Sequence, residues 1–184
     1  MKKIYILISI ISINTIAADY EPYESSYEPL PYTNTIFKNA NIYDGDGKEF
    51  IETDIIIQDG KIIAIGKELP RSNELITVDA TGKWITPGII DIHSHMGVYP
   101  APSVKTSSDG NEATSPVTAD VWAEHSIWTQ DPQFALALKG GVTTFHVLPG
   151  SANLIGGRGV TAKNLQRNTI NSMKFPDAPH SLKM

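Results

Sequence analysis

The spacing of apolar and polar positions changes several times along the chain, and each change marks an element. After Met1, Lys2 and Lys3, an apolar run from Ile4 to Ile13 is broken only by Ser9 and Ser12 and gives way to Ala17 and Ala18. A charged start, a short apolar core and small residues form the pattern of a secretory signal peptide over residues 1–18. The run is about half the roughly 20 residues that a membrane-spanning helix takes, so a stable membrane anchor is the weaker reading. Residues 19–35, DYEPYESSYEPLPYTNT, have no period that buries a face and read as a linker or arm, a solvated tether rather than a partner-binding segment. From Ile36 the pattern becomes short β-rich runs punctuated by Asp44-Gly45, Asp46-Gly47, Asp59-Gly60 and Thr81-Gly82. Asp59-Gly60 sits between IIIQ and KIIAIG and predicts a tight hairpin, with Gly60 supplying positive φ. Residues 36–83 therefore read as a small β-sandwich.

A different organisation begins at Trp84. ITPGIIDIHSHMG is apolar on both faces, enters through a Pro-Gly turn and ends in polar residues, as a buried parallel strand does. A polar stretch from Val98 to Gln130 follows, too long for a simple connection and therefore functional or disordered. Asp131 and Pro132 make an N-cap and first-turn signature, and DPQFALALKGG predicts a short helix closed by Gly140 and Gly141. VTTFHVLPG then predicts a second strand. Strand, excursion, helix, strand is the βαβ unit of a parallel α/β fold, assigned to residues 84–184. LIGGRG lacks the Gly-Lys-Ser/Thr ending of a phosphate cradle and reads as a flexible loop.

Composition narrows the chemistry. The chain of 184 residues is 41% hydrophobic and 19% charged, the balance of a globular protein. It contains no cysteine, so a metal would be held by histidine nitrogen and carboxylate oxygen. Cleavage before Asp19 would remove Lys2 and Lys3 and leave 13 of the 15 basic residues against 20 acidic ones, a formal charge of −7. Nucleic acid is a poor partner for such a surface.

The sharpest local feature is Asp91-Ile92-His93-Ser94-His95. Residues two apart on a strand share a face, so His93 and His95 can present two imidazoles to one metal ion at the carboxyl end of the strand. The bland alternative is two histidines satisfied by carbonyls or water, and in a chain with five histidines an isolated pair is modest evidence. Asp91, on the same face by alternation, is a candidate to hold an imidazole N–H. His146 in the second strand and Arg158 in the glycine-rich segment are candidate substrate-binding residues, weighed against an ordinary strand histidine and a surface charge. His125 and His180 read as solvated, and Trp122 and Trp128 as residues that pack the excursion down.

NANIYDGDGKEF, DIIIQDGKIIAIG, VDATGKWITPGIIDIHSHMG, DGNEATSPVTADVW and GGVTTFHVLPGSANLIGGRG occur consecutively. In that order they resemble the amidohydrolase superfamily, specifically its imidazolonepropionase-like and prolidase-like branch, from about Asn34 to Met184. The resemblance implies the start of a (β/α)8 TIM-type barrel, its first one to two βα units, preceded by a β-sandwich. It also implies one or two divalent metal ions, usually zinc, activating water against a C–N bond of a small-molecule substrate, with His93 and His95 matching the first-strand metal ligands. A barrel takes about 250 residues and only about one hundred follow Trp84. The remaining ligands and the catalytic base are therefore expected beyond Met184, and this stretch alone is expected to be inactive. A complementing chain, a homo-oligomer, or a truncated remnant acting as a non-catalytic binding module are the open alternatives. The expected location is periplasmic or secreted.

Overall fold

The computed structural model describes residues 23–184, so the signal-peptide expectation lies outside the described residues. The first region is one mixed sheet. Its strands are β1 (Thr35–Tyr43), β2 (Glu49–Gln58), β3 (Lys61–Gly66), β4 (Ile76–Asp79) and β5 (Trp84–Ile85). The order is β3-β2-β1-β4, with antiparallel β1–β2 and β2–β3 pairs, while β4 and β5 both run parallel to β1. The predicted hairpin is present, with φ +50 at Asp59 and +73 at Gly60, the two positive values of a type I′ turn.

Among the described residues this part of the expected sandwich is a single sheet. Ala40, Ile42, Ile55 and Ala80 form its small core, packed by Phe37, Phe50 and Ile85. Ile62, Ile63 and Ile76 are 56–60% exposed, so among the described residues no second layer covers the apolar positions that alternation assigns to a core. Trp84 and Ile85 belong to this first sheet rather than to the following strand, because the Thr86-Pro87-Gly88 turn separates them from β6 (Ile89–Ser94).

In the second region β6 pairs parallel with β7 (Val142–Val147), and α1 (Pro132–Lys139) lies between them in sequence, as the βαβ pattern predicts. The Asp131 side chain accepts the Gln133 N–H at 3.0 Å, which caps the helix, and Gly140 and Gly141 end it. Phe134 of α1 stacks on Phe145 of β7 at 5.0 Å between ring centres. Around them Val98, Ala123, Val147, Val160, Ala162 and Met173 complete the larger core. β9 (Val160–Lys163) closes the other side of β7 in antiparallel sense, a departure from an all-parallel arrangement. Strand β6 is an edge, with Ile90 and Ile92 63% and 77% exposed, so it is not buried on both faces as its composition suggests.

Two further expectations change and one narrows. The glycine-rich segment is not a free loop: β8 (Gly157–Arg158) pairs antiparallel with β10 (Leu182–Lys183). The polar excursion is ordered around buried Trp122, Ala123 and Glu124. The arm is anchored at Tyr23–Ser26 while Glu28–Tyr32 stay exposed: Ser25 donates to the Lys174 carbonyl at 2.8 Å, Ser26 N–H to the Asn171 carbonyl at 3.0 Å, and the Lys174 ammonium donates to the Tyr23 carbonyl. That ammonium also pairs with the fully buried Glu124 at 2.7 Å. A polar composition allowed a tether, but a buried cation seeks backbone carbonyls as partners.

Candidate metal centre

His93 is the penultimate residue of β6 and His95 follows one residue past its end, with ring centres 5.3 Å apart. Ser94 between them pairs with Val147, and both are buried, so the two imidazoles stand on the opposite side of the sheet, the side of His146. His95 Nδ1 lies 2.9 Å from the Leu148 carbonyl, just past the end of β7. A carbonyl only accepts, so Nδ1 donates, and in the neutral ring Nε2 is then the nitrogen with the lone pair that a metal ligand needs. The segment after His95 is anchored too, because the buried Asp131 accepts the Gly97 N–H at 2.9 Å and the Ala101 N–H at 3.2 Å. One carboxylate thus caps α1 and fixes the turn that follows the histidines.

His146 faces the same space. Its Nδ1 lies 2.8 Å from Thr161 Oγ1, directly across the β7–β9 pair, and its Nε2 lies 2.5 Å from Ser181 Oγ. Burial, then the nearby His180 and His93, hold its pKa below the ordinary 6.5, so at neutral pH it is an uncharged imidazole. Asp91 accepts the backbone N–H of His93 at 3.1 Å instead of an imidazole N–H. A register irregularity between Asp91 and Ser94 breaks the strict alternation on which its predicted placement rested.

Arg158 is not gathered with the histidines. Its guanidinium lies 4.6 Å from the Trp122 ring centre, and the neighbouring Gly159 is the residue whose side-chain direction faces His146. His180, expected in solvent, meets Trp122 edge-on at 4.7 Å and its Nδ1 lies 2.8 Å from the Gly159 carbonyl. His125 remains exposed beside Tyr23, and Trp128 is 44% exposed. Leu148, Thr161, Ser181, Lys183 and the second role of Asp131 were missed, and no local pattern could have found them. Their contacts to the site residues span 15 to 90 positions of sequence.

Among the described residues no three His, Cys, Asp or Glu side chains group closely enough to hold a metal ion, and no helix is long and apolar enough to cross a membrane. The chemistry of the histidine pair is compatible with a divalent ion but incomplete, since catalytic zinc takes three protein ligands.

No protein-family model matches the chain. It is 34% identical over 140 residues to the amidohydrolase tasK of Hapsidospora irregularis, a match covering 74% of this chain and 14% of that protein. It also superposes on the crystal structure of an amidohydrolase from Thermotoga maritima with a TM-score of 0.70 and 36% identity, covering 78% of this chain and 37% of that one. The chain belongs to the amidohydrolase superfamily. Within that superfamily a dihydroorotase of Ligilactobacillus salivarius is 41% identical over 63 residues, 33% of this chain and 14% of the enzyme. The amidohydrolase segment described here thus spans well under half the length of each of these relatives.

Proposed function

We propose that this chain supplies the opening part of the active site of a metal-dependent amidohydrolase, in which His93 and His95 hold a divalent ion, zinc foremost, at the carboxyl end of β6. The observation that carries the reading is the His93–His95 pair with the Leu148 carbonyl on His95 Nδ1, which leaves Nε2 available. A bound ion would activate water and polarise the carbonyl or amidine carbon of a C–N bond. The chain's own residues orient the two imidazoles, and neutral His146, engaged by Thr161 and Ser181, stands beside them. We take the substrate to be a small cyclic amide, amidine or dipeptide.

In this reading β6, α1 and β7 open a (β/α)8 barrel, and residues 1–18 direct export to the periplasm or beyond. The missing ligand and the base come from a longer chain, a complementing chain or a second copy. One or two ions fit the proposal equally.

Isothermal titration of the purified chain with Zn2+ tests it. His93→Ala and His95→Ala are each expected to weaken uptake at least tenfold, as loss of a ligand does. Uptake indifferent to both substitutions would leave a non-catalytic binding module as the better account.

A further inference from the structure

Arg158, a candidate substrate-binding residue in the sequence, turns away from the histidines and finds no use in the proposed function. Its neighbour Gly159 and the nearby Ser181 face His146, whereas Arg158, paired with Leu182 across the β8–β10 ladder, lies on the other side of that ribbon. Two bridges, Val117 to Ile155 and Trp122 to Arg158, hold the excursion alongside β8, and the Arg158 N–H donates to the Val121 carbonyl at 2.7 Å. The backbone thus keeps the guanidinium over the buried Trp122 ring, 4.6 Å from its centre. Asp120, Val121, Trp122, His125 and Arg158 line a cavity of about 500 Å3 that is more apolar than polar. Cavities of roughly this size hold small molecules.

The ion pairs among the described residues are Lys38–Asp54, His125–Glu124 and Lys174–Glu124, so no carboxylate meets Arg158, although Asp120 lines the same cavity. A guanidinium lying on an aromatic ring keeps its N–H donors in its own plane, pointing edgewise, where a planar carboxylate accepts two of them at once. Asp120 is exposed, and its negative charge disfavours a dianion more than a monoanion. We propose that this cavity is a binding site for a small monocarboxylate with an apolar body, the carboxylate on Arg158 and the body against Val121 and Trp122. The site is separate from the histidine pair and needs no metal ion.

The test is an NMR titration of the 184-residue chain with hydrocinnamate, a phenyl ring on a short monocarboxylate. The Trp122 indole N–H and the Arg158 side-chain N–H signals are expected to move together along one saturable curve. Hydrocinnamamide, which has the same body without the charge, is expected to leave them in place. Arg158→Gln is expected to weaken binding at least about tenfold, the loss of a charge-assisted hydrogen-bonded pair. Arg158→Lys keeps the charge but not the planar fork and is expected to weaken it severalfold, so the test stands even if Arg158→Gln disturbs the β8–β10 ladder. His93→Ala and His95→Ala are expected to change nothing. If hydrocinnamate moves neither signal, or binds both Arg158 variants as it binds the parent, Arg158 only packs against Trp122 and the site falls. Binding lost with His95→Ala instead would place the carboxylate at the histidines and overturn the assignment. Tighter binding of inorganic phosphate than of hydrocinnamate would overturn the choice of a monocarboxylate.

Discussion

The two regions of the chain are built on different principles. In the sheet of residues 35–85, β1, β2 and β3 are sequence neighbours joined by tight turns, and the core consists of four buried side chains. In the region from Ile89 onward, the paired strands β6 and β7 are separated by the whole excursion and helix, and eight buried side chains form the core. Local pairing gives the first region its shape cheaply in chain entropy and leaves it thinly packed. Long-range closure gives the second region a denser centre, and it is there that the histidines are held. The lesson is that the site depends on the part of the fold that is hardest to form.

The largest expected effect tests that contrast directly. Phe145 is fully buried against Phe134, and Phe145→Ala removes the ring on which α1 rests. A loss of about 3–5 kcal/mol is expected in denaturant unfolding, against about 0.5–1.5 kcal/mol for Ile55→Val in the first sheet. Hydrogen exchange read residue by residue should show β6, β7 and β9 opening in Phe145→Ala while β1–β3 stay protected. Equal loss of protection in both would mean that the docked arm couples the regions into one cooperative unit, and the contrast would not stand.

Acid should separate the regions in the same order. His146 has a lowered pKa, so the folded second region binds its proton less readily than the unfolded chain does. Its contribution is complete above the ordinary 6.5 and is lost as pH falls through that value toward the folded pKa. In the first sheet, burial opposes the charge on Asp54. Hydrogen bonds from the Lys38 ammonium and from the Asn39 and Leu69 N–H groups outweigh it and hold the pKa below the ordinary 3.8. That contribution persists until the pH falls below about 4. Amide protection measured at pH 7.5, 5.5 and 3.5 (about one step to each side of these values) is expected to weaken first around β7 and only at the lowest pH around β1 and β2. The reverse order would show that His146 does not govern the acid response of its region.

What could be read from the sequence follows the same division. The parallel β6–β7 pair was legible because a strand-helix-strand order implies it, and the Asp59-Gly60 hairpin, the Asp131 cap and α1 because each rests on spacing within a few residues. The histidine pair was legible for the same reason. The docking of Tyr23–Ser26, the turning of Arg158 onto Trp122 and the placing of Ser181 and Lys183 beside the histidines were not. Each depends on where the backbone places a partner far away in sequence, and polar composition alone reads the same for a solvated segment and a docked one. Asp91 failed for a subtler reason, since one register irregularity is enough to defeat a period of two.

The smallest expected effect concerns the one place where the arm touches the first sheet's hairpin. Gly60 has φ +73, and a Cβ there would stand 2.3–2.7 Å from atoms of the Tyr32 ring, while Asp59 N–H donates to Asn34 Oδ1 at 2.9 Å. Gly60→Ala therefore meets two obstacles, left-handed backbone and an occupied space. The first costs about 1 kcal/mol wherever Tyr32 lies. The second exists only while the arm is seated. Made in a Tyr32→Ala background, Gly60→Ala is expected to cost only the backbone share, so a double-mutant cycle isolates the arm contact as a coupling of at least about 0.5 kcal/mol. A coupling indistinguishable from zero would mean that Tyr32 yields freely and does not help to fasten the arm. The first region would then stand as independent of the second as its local pairing suggests.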